Sequence, residues 1–465
     1  MSDSVNSITL SLRKDALDIF QAGVAAADPC QAVKRSLFSG GQQLEILLNL
    51  DDRSQKRACP WSKVHLVAFG KAACAMAKAA GEIIPAHLLT GRGLAVTNYE
   101  NVTAIGNVEV IGAAHPLPDE AGLNAAQKLA ERISRAQQGE LVLVLASGGG
   151  SALIPYPVDS ITLQEKIATT DLLLASGATI NQINCVRKHL SQLKGGGLAR
   201  LAMPADLHAL ILSDVLGDDL SAIASGPTVP DPTTYDDAIA VFTGKGIWGK
   251  VPASVQRHLQ QGQLGHVRET PKPGDSAFKN ATHTLIGGNA ISVNAALKAA
   301  QNLGYETRLY SAHLCGEARD EAEKWARHAK HLVDKGLAQP SALIAGGETT
   351  VTLKGNGRGG RNQEMALAFA IAAKQHGLTG DWTFLSGGTD GRDGPTDAAG
   401  GRVDPDSLQR MIDAGLDPIA LLDNNDSYAA LAGSGDLLDT GPTGTNVADL
   451  QVLLIHPTVT QTPPL

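Results

Sequence analysis

The residues best suited to chemistry in this chain lie in glycine- and hydroxyl-rich strings, each following a short aliphatic run. LVLVLAS (141–147) leads into Ser147-Gly148-Gly149-Gly150-Ser151. A backbone this bare can bring N–H groups against an anion, with the serine hydroxyls as further donors. Gly149-Gly150-Ser151-Ala152-Leu153 lacks the last glycine of a G-x-S-x-G elbow, which argues against a serine hydrolase. VHLVAFG (64–70) ends in Gly70-Lys71 and places an ammonium at a strand end. There it can neutralise a transferring phosphoryl group without a P-loop. LHALILSD (207–214) runs into Ser213-Asp214-Val215-Leu216-Gly217-Asp218-Asp219. Its hydroxyl and the carboxylates of Asp214, Asp218 and Asp219 are the oxygen ligands Mg²⁺ prefers. The bland alternative is an aspartate capping the next helix.

Basic and amide side chains supply the complementary half. In a continuous helix Asn184, Arg187, Ser191 and Lys194 follow three- and four-residue steps and share one face, able to bind a carboxylate or phosphate. The competing reading is a solvated helix face. Farther on, Gly346-Gly347-Glu348-Thr349-Thr350 and Gly357-Arg358-Gly359-Gly360-Arg361 frame a strand and a helix. Arg361 at that helix start suits a small carboxylate or transition-state charge. WTFLSGG (382–388) is followed by an acidic loop with Asp390, Asp393 and Asp397. Glycine-bounded ends at Gly287-Gly288-Asn289 and Thr443-Gly444-Thr445-Asn446 complete the set.

Two strings imitate nucleotide motifs. Gly244 to Val251 matches the first seven positions of a P-loop, but Val251 has no hydroxyl for Mg²⁺ and no buried strand precedes it, so a surface turn is expected. Gly355 to Gly360 matches G-x-G-x-x-G. The acidic residue that should end the next strand is instead Asp381, which precedes it.

The elements that must position these residues alternate between short β-rich runs and helical stretches, the mark of βαβ units and a mainly parallel sheet. Residues 64–70, 93–98, 108–113, 141–147 and 207–214 form a first series of strand candidates. A second comprises 283–288, 305–311, 341–348, 349–354, 382–388 and 450–456. A polar seam with Pro271, Pro273 and Gly274 separates them, dividing the chain into domains 1–275 and 276–465. The first 45 residues read as helical and can pack on either domain. With 39 Lys+Arg against 47 Asp+Glu the net charge is −8, and no basic stripe points to nucleic acid. Aromatics are 4% of the 465 residues and there are 50 glycines, a profile of backbone-mediated contacts in a soluble enzyme. Five scattered cysteines without a C-x-x-C pair fit a reducing cytoplasm. Neither a signal-peptide h-region nor a run long enough to span a membrane is seen, so no membrane partner is expected. Oligomeric state is left open, a homo-oligomer included.

The strings FGKAA, HPLPDEAG, LASGGGSAL, INCVRKHLSQLKGGGLA, ILSDVLGDDLSAIASGPTVPD, GGETTVTLKGNGRGGRNQE, SGGTDGRDGPTDAAGG and GPTGTNVADL together resemble the class II glycerate 2-kinase family. Its C-terminal module is called MOFRL, and its members are often labelled hydroxypyruvate reductase. The resemblance covers nearly the whole chain. It departs at Ala114, before His115-Pro116, where the family more often has glycine. It implies an α/β protein of two domains, an N-terminal Rossmann-like parallel sheet with helices on both faces and a C-terminal α/β domain, with the active site in the cleft between them. The implied reaction moves the γ-phosphoryl of ATP to O2 of D-glycerate with Mg²⁺. Lys71, Arg361 and Asp214 are the implied catalytic residues, with Asp214 and Asp218 at the metal. Gly148, Gly149, Gly150, Ser147, Ser151, Lys194 and Ser213 would hold nucleotide phosphates; Arg187, Glu348, Asn289 and Asp390 would hold the acid. The alternative, an NAD(P)H-dependent hydroxypyruvate reductase, needs a nicotinamide site that no glycine loop here fully matches.

Overall fold

The computed structural model describes residues 7–40 and 43–457. They fall into two compact units, 29–286 and 7–28 with 287–457.

In the first unit a small antiparallel sheet, β1 (Leu37–Gly40), β2 (Gln43–Leu47) and β3 (Lys56–Cys59), precedes the main one. The main sheet comprises β4 (Val64–Phe69), β5 (Gly93–Asn98), β6 (Val108–Ala113), β7 (Leu141–Ala146), β8 (Asp206–Leu212) and β9 (Ala281–Gly287), in the order β6-β5-β4-β7-β8-β9. The pairings from β6 through β8 are all parallel. Every residue of β4 and β7 is buried, as a sheet covered on both faces requires. Val67, Phe69, Val142 and Val144 pack on Ala125 and Leu129 of the helix Glu120–Ser134. Because β5 and β6 lie on one side of β4 and β7 to β9 on the other, the topology reverses between β4 and β7. That reversal opens a crevice at their carboxyl ends, the place where such sheets bind ligands.

The second unit holds β10 (Glu306–Leu314), β11 (Ser341–Gly347), β12 (Trp382–Gly388), β13 (Gly400–Val403), β14 (Leu437–Leu438) and β15 (Asp449–Ile455), in the order β10-β11-β15-β12-β13-β14. β15 runs antiparallel between β11 and β12. Trp325, Met365, Phe369 and Phe384 pack on one face. Leu12, Ile19 and Phe20 of the helix Ser7–Ala26 pack on the other, against Leu450, Val452 and Leu454. Arg13 fixes that helix by pairing with the buried Asp404 and Asp436.

Four expectations about the fold need correction. The first 45 residues are not helical throughout, since Leu37–Gly40 and Gln43–Leu47 pair as antiparallel strands. The division is at 286/287, not 275/276, because the run at 283–288 is β9, hydrogen-bonded beside β8 in the first sheet. The helix Ser7–Ala26 belongs with the second unit, since its apolar face is covered there. The run 349–354 is no strand: Thr350 makes one isolated bridge to Glu317, while Thr352, Lys354 and Gly355 donate their N–H groups to side-chain oxygens of Glu317 and Asn425. Those acceptors replace a ladder.

Candidate active site

At the reversal point the loops after β4 and β7 are stitched to one another. Gly70 has φ +117°, and a Cβ there would sit 2.2 Å from Ser147 Oγ. Lys71 N–H donates to Gly148 O at 2.9 Å, and Ala72 N–H donates to Ser147 Oγ at 3.0 Å. Only glycine allows this approach. A Cβ on Gly148 would lie 2.1 Å from Asp214 Oδ2, so the first carboxylate after β8 rests on the same loop. At Gly149, φ +81°, a Cβ would meet the His115 ring at 3.1 Å and Lys71 Cγ at 3.3 Å. The ends of β4, β7 and β8 therefore bring Lys71, Gly148 to Gly150 and Asp214 together. Burial, and then the Lys71 charge, push the His115 pKa down and so disfavour its charged form.

Asp218 lies on the Asp214 loop with φ +54°, and its Oδ1 is buried without a hydrogen-bond partner. A buried, orphaned carboxylate oxygen on the loop that also carries Asp214 suits a cation. No three His, Cys, Asp or Glu side chains converge on a metal position among the described residues. Mg²⁺ asks for less, since one or two carboxylates suffice when phosphates and waters complete its shell. Ser213 shapes its own turn, donating to Val215 O at 3.1 Å and accepting Val215 N–H at 3.2 Å.

Beside Gly149 opens a cavity of about 330 Å³ lined by Ser151, Lys166, Arg187 and Lys194 among others. The Ser151 and Ser225 hydroxyls are 2.9 Å apart, and Ser225 donates to Asn184 Oδ1 at 3.0 Å, which ties the helix Ile180–His189 to the glycine loop. That helix ends at His189, so Asn184 and Arg187 lie on it while Ser191 and Lys194 do not. The expected four-residue face is thus corrected to a turn: Ser191 Oγ accepts the N–H groups of Leu193 and Lys194, and Gly195 and Gly196 continue at positive φ. Lys194 still reaches the cavity, donating to Ser151 O at 2.9 Å. Lys166, on the helix Leu163–Ala175, is the third cation there and donates to Leu190 O at 2.9 Å. Burial, and then the Arg187 charge, pull Lys166 down to about 7. Lys194, 1% exposed, is pushed well down by burial and by both neighbouring cations. Burial alone lowers Arg187.

The second unit gathers another cluster, where Gly347 of β11 and Gly388 of β12 both stand opposite Asp449 of β15. Arg361 donates from Nε and Nη2 to the fully buried Asp449 at 2.6 and 3.0 Å, and its Nη1 lies 2.9 Å from Glu348. Burial pulls this guanidinium down, but Asp449 and Glu348 outweigh it and hold its pKa above the ordinary value. Asp393 accepts the N–H groups of Asn362 and Gln363 at 3.1 and 2.8 Å and so caps the helix that Arg361 begins. Burial and the nearby Asp449 push Asp393 up to about 7 despite those donors. Asn289 donates to Val447 O and Asp449 O, while its Oδ1 is buried and unpartnered. Asp390 accepts Arg392 N–H at 3.0 Å.

The dinucleotide-like loop faces its own chain. Added Cβ atoms at Gly355, Gly357, Gly359 and Gly360 would collide with Asn424, Asp426, Ser427 and Asp393. The P-loop-like string is a helix end followed by a turn and the 3-10 helix Trp248–Lys250, with Ile247 and Val251 buried, so it is a partly buried connection and not the expected surface turn. Sequence reasoning missed Lys166, His115, Asp393 and Asp449 as members of these clusters. His115, Asp393 and Asp449 lie inside strings it had marked. Lys166 gave no signal, since QEKIATTDLL reads as an ordinary solvated helix.

Residues 15–260 match the family described as a domain of unknown function (DUF4147), and residues 341–449 match the MOFRL family. A D-glycerate 2-kinase of Thermotoga maritima is 43% identical over 96% of this chain and 99% of its own length. A protein of Agrobacterium vitis, also 43% identical over 96% of this chain and 95% of its own, carries the name hydroxypyruvate reductase with a qualifier. The crystal structure of a Thermotoga maritima glycerate kinase superposes with a TM-score of 0.84 at 41% identity, covering 96% of this chain and 99% of that one. With these matches spanning both units, the chain belongs to the MOFRL-containing glycerate 2-kinase family.

Proposed function

We propose that this protein is a glycerate 2-kinase that transfers the γ-phosphoryl of ATP to O2 of D-glycerate, giving 2-phosphoglycerate and ADP. The observation that carries the reading is the meeting of Lys71, the Gly148–Gly150 loop and Asp214 at the reversal point of the first sheet. Phosphoryl transfer through a loose transition state needs positioning and charge neutralisation more than covalent chemistry. Lys71 supplies a cation to the transferring group, and the glycine loop with Ser151 offers N–H and hydroxyl donors to phosphate oxygens. Asp214 and Asp218 would hold Mg²⁺, which would supply positive charge against that of the phosphate oxygens. As the O2–P bond forms, the bond from the γ-phosphorus to the β-phosphate oxygen breaks, ADP departs with that electron pair, and the O2 proton passes to a phosphoryl oxygen or water; a strong base is not required. Arg361, fixed by Asp449, presents a rigid cation for the glycerate carboxylate, with Glu348, Asn289 and Asp390 nearby for its hydroxyls. Lys194 belongs with the nucleotide phosphates. All five cysteines are free thiols, no helix among the described residues is long and apolar enough to cross a membrane, and we place the protein in the cytoplasm.

A paired assay tests this reading. ADP release from ATP and Mg²⁺ that depends on D-glycerate is expected, with no oxidation of NADH or NADPH by hydroxypyruvate. Nicotinamide oxidation without ADP release would overturn it.

A further inference from the structure

We propose that the cavity beside Gly149 is the pocket of the whole nucleotide, with the polyphosphate on Lys166, Arg187 and Lys194 and the nucleoside against an apolar wall that includes Leu117 and Leu174. This rests on the kinase reading above, and it moves Arg187 from the acid to the nucleotide.

Lys166, Arg187 and Lys194 line one cavity, where burial and one another's charges, and no carboxylate, act on them. Asp171 lines the same cavity but is exposed. Burial without a counter-charge disfavours the charged forms of the two lysines, and an anion brought into the cavity would restore them. Glycerate brings one negative charge and would leave most of this field unanswered, whereas a nucleoside di- or triphosphate brings several. About 330 Å³ reaches the roughly 300–1,000 Å³ in which proteins enclose drug-sized ligands, far more than a three-carbon acid fills. Leu117 and Leu174 line the cavity and stand 58% and 55% exposed, joined by Pro116, Pro118 and Ile167. A flat base covers such a surface, and a hydrophilic acid does not. Ser151 and Gly149 belong to the same lining, so the cavity is continuous with the glycine loop beside Lys71.

ADP titrated calorimetrically into the full-length protein tests this without turnover. The substitution Leu174→Asp changes an exposed position and should leave the fold intact. It is expected to weaken ADP about tenfold, the scale of losing one apolar side chain's burial, while the KM for D-glycerate changes less than twofold. In wild type, ADP binding at pH 8 should take up protons, because bound phosphate favours the charged form of Lys166, and this uptake should fall in Lys166→Met. The other charged or titratable groups around Lys166 are Arg187, Lys194, His258, His115 and Asp171. ADP binding unchanged in Leu174→Asp, or a raised glycerate KM with ADP unaffected, would overturn the proposal; so would proton uptake unchanged in Lys166→Met. A chain that binds ADP as described yet forms no phosphoglycerate would break the kinase reading and leave the pocket standing.

Discussion

Arg361 in the second unit and the Lys166, Arg187 and Lys194 group in the first meet opposite surroundings. Arg361 has carboxylates on both sides, one fully buried, and its geometry is set before any ligand arrives. The three cations of the first unit have one another and two backbone carbonyls. A cation already compensated acts by orientation, and its removal leaves its partners stranded. Cations that are not compensated act by appetite for an anion, and removing one relieves the folded state. The same residue types thus take different jobs according to whether a carboxylate shares their site.

The largest effect that distinguishes the two clusters is on stability. Asp449→Ala should destabilise the second unit by about 3–5 kcal/mol in urea unfolding, because it leaves Arg361 half-buried beside an emptied site. A cost below 1 kcal/mol would mean Arg361 is not held as described. Next comes Lys71→Ala, which should lower kcat by roughly 10²–10³-fold with an unchanged unfolding midpoint, the scale of losing one preorganised charge stabiliser. Near-normal turnover would remove Lys71 from the chemistry.

Smaller effects come from pH, with opposite signs in the two clusters. Lys166 titrates at about 7 when folded against an ordinary 10.5, so the folded chain binds fewer protons between those values. Its contribution to stability is present above 10.5 and is lost as pH falls through 7. Asp393 titrates at about 7 against 3.8, so its contribution is present below 3.8 and is lost as pH rises through 7. Each slope is at most about 1.4 kcal/mol per pH unit. Stability profiles of Lys166→Met and Asp393→Asn should lose one slope each, and identical profiles would erase the contrast. Smallest of all, Arg187→Met should leave stability unchanged or raise it by about 1 kcal/mol. A clear loss would show that Arg187 is compensated after all.

How far the sequence foretold this depends on the range of the interaction concerned. The parallel sheet was legible because β4, β5, β7 and β8 are buried on both faces and read as continuous apolar runs. The small sheet of β1 to β3 was not, since strands such as Lys56–Cys59 are half exposed and carry no apolar run. The helix Ser7–Ala26 announces an apolar face through Leu12, Ala16, Ile19 and Phe20, but only contacts hundreds of residues away decide which sheet it covers. The glycine loops announced the first site because Gly70, Gly148 and Gly149 are required by backbone approach, a local property. Lys166 stayed hidden because its burial depends on the turn after His189 closing over its helix. Asp449 was hidden for the same reason, as its partner Arg361 lies 88 residues away.

The account rests most directly on which oxygen receives the phosphoryl group. Proton-coupled ³¹P NMR of the product formed from ATP, Mg²⁺ and D-glycerate reads it, because phosphorus on O2 couples to the single C2 proton and phosphorus on O3 to a pair. A doublet is predicted. A triplet would give the 3-phosphate, and the absence of any phosphate ester would contradict phosphoryl transfer to glycerate altogether.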